Sequence, residues 1–146
     1  MIMLTLENAQ TIVKAALGGG RTGPDRRIAV AVCDAGGHPL ALGREEDAAP
    51  LLAHIAQAKA FTCIAYGKTT DNVREWAEDT PIWFHGVARV AEQRMGLPLI
   101  GSKGGVCIRD AAGKVLGAVG VAGEAGDQDE KLACTGITAA GFTADP

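Results

Sequence analysis

The chain has 146 residues, of which 47% are apolar and only 4% aromatic, and it carries a formal charge of −3 with a pI near 5.6. That length fits one domain with its own core, built mostly from Ala, Val, Ile and Leu. With no basic stripe and no apolar run near the ~20 residues of a membrane helix, nucleic acid and membrane are excluded as expected partners. No secretory leader pattern opens the sequence, so a cytoplasmic protein is expected.

Leu6, Ala9, Ile12, Val13, Ala16 and Leu17 recur at a helical period, which predicts a first helix over 5–17 with Thr5 as N-cap. Gly18-Gly19-Gly20 ends it; a glycine run that closes a helix, with no Gly-Lys-Ser/Thr after it, reads as a stop rather than a phosphate loop. Ile28 to about Arg44 reads as a hairpin turned by Asp34-Ala35-Gly36-Gly37, and about Val106 to Val121 as a second one turned at Asp110 to Gly113. Between them, Glu45-Glu46-Asp47 with Pro50 marks a helix entry, followed by a helix over 51–66 that stops at Gly67. Thr69 or Thr70 caps a shorter helix through Trp76, and Thr80-Pro81 opens another through about Met95, broken by Gly96-Leu97-Pro98. A further short strand is expected near Leu99-Ile100, and a last helix from Asp127 to about Phe142. Hairpins demand antiparallel pairing, which argues against a doubly wound nucleotide fold.

Several segments together resemble the GlcG-like, or haem-degrading-domain, family, which includes small haem-binding proteins and the C-terminal domain of PduO-type corrinoid adenosyltransferases. They are Leu4-Thr5-Leu6, Ile28 to Val32 with Asp34 to His38, Ile55-Ala56-Gln57-Ala58-Lys59-Ala60, Gly104-Gly105-Val106, Gly117 to Gly123, and Asp129-Glu130. The resemblance spans nearly the whole chain, so 1–146 is expected to be a single GlcG-like domain. It implies an α+β, profilin-like or roadblock-like sandwich with an antiparallel sheet of about five strands, helices packed on it, and assembly into a homo-oligomer. It also implies a small-molecule ligand such as haem or cobalamin. The segment Ile82-Trp83-Phe84-His85-Gly86 departs from the family's usual pattern.

The residues that carry chemistry are few. Of three histidines, His38 sits in a hairpin turn, where exposure is the ordinary outcome. His54 is either a base or ligand at a pocket edge or a plain surface residue of its helix. His85 stands beside Trp83 and Phe84; it either caps a flat ligand and supplies the metal ligand for haem iron, or is merely adjacent to apolar anchors. Lys59 lies in an apolar stretch: it snorkels to solvent, or its buried amine grips a carboxylate or acts as a base. Arg44, Lys103 and the amides of Gly104 and Gly105 can add charge and donors toward the same anion. Asp127, Asp129 and Glu130 suit the positive end of the last helix. Cys33, Cys63, Cys107 and Cys134 show no short spacing, so four separate buried thiols are expected rather than a zinc or redox motif. Ser102 is the single serine and lies in no elbow motif.

Three functions follow. The first is a binding module for haem or another flat, anionic small molecule. The second is a small isomerase, tautomerase or lyase of carboxylate or aromatic-acid catabolism, with His54 and Lys59 as its catalytic pair. The third is an accessory subunit without a ligand.

Overall fold

A computed structural model describes residues 2–145. In chain order it contains α1 (Leu6–Leu17), β1 (Ala29–Asp34), β2 (Pro39–Arg44), α2 (Leu51–Tyr66), α3 (Thr70–Asp79) and α4 (Pro81–Met95). β3 (Gly105–Arg109), β4 (Val115–Ala122), α5 (Gly126–Ala139) and β5 (Thr143–Asp145) follow. The strands form one antiparallel open sheet in the order β2-β1-β4-β3-β5. The architecture is α+β, with α1 and α5 on one face of the sheet and α2 on the other. No helix among the described residues is long and apolar enough to cross a membrane.

Each face of the sheet follows from the alternation of side chains along a strand. Ile28, Val30, Val32, Val106, Ile108, Val119 and Val121 point to the α1/α5 side and pack with Ile12, Leu132 and Ile137 into the main core. The alternate positions are small: Ala29, Ala31 and Cys33 on β1, Ala118, Gly120 and Ala122 on β4, and Gly105 and Cys107 on β3. This small face lets the α2 backbone lie close to the sheet. A methyl group at Gly120 would overlap the Ala56 carbonyl, and one at Gly105 would come within 2.8 Å of the Lys59 carbonyl.

The local signals act largely as expected. Thr5 caps α1 in a capping box: its Oγ1 accepts from the Asn8 N–H at 3.0 Å, and Asn8 Oδ1 accepts from the Thr5 N–H at 3.0 Å. Thr69 is the cap of α3, its Oγ1 accepting from the Asn72 N–H. Glu45 does not serve a helix entry, since α2 begins at Leu51 with no acid in its first turn. Its Oε1 accepts from the Ile28 N–H and from Arg21 Nη2, each at 2.9 Å, and so pins the entrance to β1. Burial alone would raise this carboxyl, but Arg21 and the Ile28 amide hold it below its usual range.

Three boundaries differ from expectation. The helix from Thr70 runs past Trp76 to Asp79. Leu99-Ile100 forms no strand; Leu99 is an anchor under Phe84, and the Ile100 N–H donates to Thr62 Oγ1 at 2.9 Å, a bond to a helix side chain rather than to a ladder. The last helix stops at Ala139, because Gly141 at φ +86° turns the chain back and 143–145 pairs with β3 as the edge strand.

Candidate functional site

Lys59, Gly104 and Gly105 meet where α2, the start of β3, the end of β4 and the first turn of α5 converge. Lys59 is 3% exposed; its Nζ donates to the Val121 carbonyl at 2.8 Å and to Asp129 Oδ2 at 3.2 Å. Asp129 is 2% exposed, and its Oδ1 accepts from the Glu124 N–H at 3.0 Å. Burial pushes the Asp129 carboxyl up to about 6 even against the Lys59 charge, and pushes the Lys59 amine down. A Cβ at Gly104 (φ +126°) would sit 2.5 Å from the Val121 carbonyl oxygen and 2.7 Å from Lys59 Nζ, so glycine is needed where this carbonyl and the ammonium meet. The Gly105 N–H donates to Thr70 Oγ1 at 2.8 Å. Lys59 and the glycine pair thus form an internal strut in which both the ammonium and the Gly105 amide are spent on the protein itself.

Arg44 and Lys103 lie outside that strut and apart from each other. The Arg44 guanidinium donates to the carbonyls of Glu45, Glu46 and Ala48 at 2.9, 3.3 and 2.7 Å, closing the loop before α2. The Lys103 ammonium pairs with the Asp127 carboxylate. β1 and β4 lie between β2, which ends at Arg44, and β3, which starts two residues after Lys103, about 14 Å of sheet at ~4.8 Å per strand. Glu130 Oε2, nearby on α5, is buried without a hydrogen-bond partner among the described residues, and burial with Asp71 close by raises this carboxyl.

The histidines are equally dispersed. His38 is exposed in the first turn with Nδ1 3.5 Å from Asp34 Oδ1. His54 faces solvent from α2, whereas Lys59 of the same helix faces the sheet, so the two do not share a pocket. His85 is exposed on α4 with its ring edge-on to Phe84, centroids 5.7 Å apart.

Trp83 belongs to a feature that periodicity did not isolate. A groove of about 370 Å³ is lined by Tyr66 at the end of α2, Lys68 in the turn after it, Asn72, Val73 and Trp76 on α3, and Trp83 on α4. Its aromatic lining, Tyr66 to Trp76 at 5.0 Å, is backed from the core by Phe84, 5.1 Å from Trp76, both pairs edge-on. Phe84 continues inward to Phe61, Val73 and Leu99. Trp83 stays 65% exposed along the groove wall. Side chains two apart on a helix point to nearly opposite sides, which takes His85 away from this groove. One signal in the sequence marks the region: five of the six aromatic residues fall between Phe61 and Phe84.

Three of the four thiols also gather. Cys33, Ala118 and Cys107 form one cross-strand row beneath Cys63 of α2. Burial pushes the Cys33 thiol up to about 12, and the neighbouring Cys107 with burial pushes Cys63 up as well, whereas the hydrogen bond with Cys63 draws Cys107 below its usual value. Cys134 is half-buried on α5. No group of three metal-ligating side chains occurs among the described residues.

The model of the family described as haem-degrading protein, HbpS-like, matches residues 4–138. Protein GlcG of Escherichia coli (strain K12) is 32% identical over 94 residues, 64% of this chain and 63% of its own length. The match thus spans less than two thirds of that curated relative. A crystal structure of a PduOC:heme complex superposes with a TM-score of 0.81 at 20% identity, covering 99% of this chain and 100% of that one. A Streptomyces reticuli HbpS double mutant superposes with a TM-score of 0.75 at 28% identity, covering 94% and 87%.

Proposed function

The chain belongs to the HbpS-like haem-degrading protein family, and on that premise we propose that it binds a flat, anionic ring ligand, haem foremost, in the α3–α4 groove. The observation that carries this reading is the pairing of an aromatic floor and wall (Tyr66, Trp76, Trp83) with Lys68 at the rim. Aromatic faces stack on a planar ring, each contact adding about 0.5–1.5 kcal/mol beyond burial, and a rim ammonium pairs with a carboxylate that stays near water. Asn72 adds a neutral donor and acceptor on the same wall. The haem complex of PduOC, on the same fold, supports the ligand class.

A second placement is favoured by one observation: on α4, Ile82, His85 and Arg89, at spacings of three and four residues, lie along one exposed face. There His85 is the iron ligand, Ile82 the apolar contact and Arg89 the carboxylate partner. Metal-free protoporphyrin IX separates the two placements, because stacking does not need iron. Quenching of tryptophan fluorescence by protoporphyrin IX, lost on Trp83→Ala and kept on His85→Ala, is the expected result. Binding that requires iron and His85 overturns the groove placement. We further propose that the chain assembles with copies of itself, the reading its family membership and exposed apolar side chains support.

A further inference from the structure

Helix α4 has two apolar faces and the fold covers only one. Phe84, Val87, Ala88 and Ala91 pack inward with Val73 and Leu99. On the outer face Ile82 is 91% exposed and Val90 58%, and between them Gly86 meets nothing within 4 Å of the position its Cβ would take. These residues stand at i, i+4 and i+8, a straight ridge. An exposed stripe of this kind on one helix marks a contact surface rather than scattered apolar residues.

We propose that this ridge is a self-association surface on which α4 crosses α4 of a second copy, antiparallel, at Gly86. The proposal rests on the reading that the chain forms homo-oligomers, and it names the surface. A two-fold axis through residue 86 places position i opposite position 172 − i of the other copy. Ile82 then meets Val90 of the second copy, and Val90 its Ile82, a self-complementary apolar contact. Gly86 meets itself, where the missing side chains let the helix axes approach closely.

Charge selects this occupant. Glu75 and Asp79 precede the N-terminus of α4 and have no ion-pair partner among the described residues; near its C-terminus Arg89, Glu92 and Arg94 have none either, which leaves that end with a net charge of +1. Antiparallel crossing sets the acidic end of each copy against the basic end of the other, whereas parallel crossing stacks like on like. A two-fold interface must be complementary to itself; α4 is so in shape, and together with the acids at the end of α3 it is so in charge.

The test is sedimentation velocity of the full chain without ligand, for the wild type, Ile82→Glu/Val90→Glu and Gly86→Cys. The expected result is a wild-type oligomer, loss of the α4-mediated contact in the double glutamate variant with unchanged circular dichroism, and oxidant-dependent covalent dimers of Gly86→Cys. Wild-type and Glu92→Cys proteins, treated alike, give no such dimers. A wild type that is monomeric at all concentrations overturns the homo-oligomer reading and this surface with it. An oligomer untouched by the glutamates, with no cross-link at residue 86, overturns the surface alone. A monomer whose glutamate variant loses haemin binding also overturns it, and assigns the stripe to a ligand.

Discussion

Replacing Lys59 by Met removes one half of a buried ion pair and tests whether this lysine is a strut or a reactive amine. In the wild type the ammonium holds the Val121 carbonyl at 2.8 Å and the Asp129 carboxylate at 3.2 Å, both charged residues being almost wholly buried. Met matches the stem but leaves Asp129 with a single donor, the Glu124 N–H. Breaking such a pair costs about 3–5 kcal/mol. The cost depends on pH, because the orphaned carboxyl escapes it by taking a proton. Asp129 already has a folded pKa of about 6 against 3.8 unfolded. Its contribution to stability is therefore full below 3.8 and is lost as pH rises through 6, a span worth about 3 kcal/mol at 1.36 per unit. Without Lys59 the folded value moves higher and the loss extends further up the pH scale. Urea unfolding followed by circular dichroism is the assay. We expect Lys59→Met to lie about 3–5 kcal/mol below wild type at pH 8 and clearly closer to it at pH 5. A deficit under 1 kcal/mol at pH 8, or the same deficit at both pH values, would refute the strut.

Gly120→Ala forces a methyl group into the Ala56 carbonyl and pushes α2 off the sheet, so a loss of at least about 1–3 kcal/mol in urea unfolding is expected. Gly86→Ala, placed in the Ile82→Glu/Val90→Glu background where α4 is uncovered, is expected to raise the melting temperature slightly, since Ala is the better helix former by about 1 kcal/mol. Thr70→Val orphans the buried Gly105 N–H at the cost of about 1–3 kcal/mol, whereas Thr135→Val on the surface of α5 changes stability by less than about 0.5 kcal/mol; chemical denaturation of the pair checks the contrast.

Much of the fold was legible because it is written in short-range patterns. The Val/Ala and Val/Gly alternation in 28–33 and 116–122 encodes both faces of the sheet, and Thr5, Gly67 and Gly96 mark helix ends by local geometry. The fifth strand was not, because 143–145 is three residues long and is defined only by its distant partner β3. The site was less legible still. Lys59 reads alike as a snorkelling or a buried lysine until Asp129, 70 residues away, is placed against it. Tyr66, Trp76 and Trp83 sit on three different helices, so helical period could not group them; only their crowding into an aromatic-poor chain pointed there.

The central claim, that a flat anionic ring is held in the Tyr66–Trp76–Trp83 groove, is tested most directly by titrating haemin into wild type, Trp83→Ala and His85→Ala while following the Soret band. The account predicts saturable binding near one haem per chain, weakened about tenfold or more by Trp83→Ala and little changed by His85→Ala. No saturable shift in the wild type, or binding indifferent to Trp83, would contradict it.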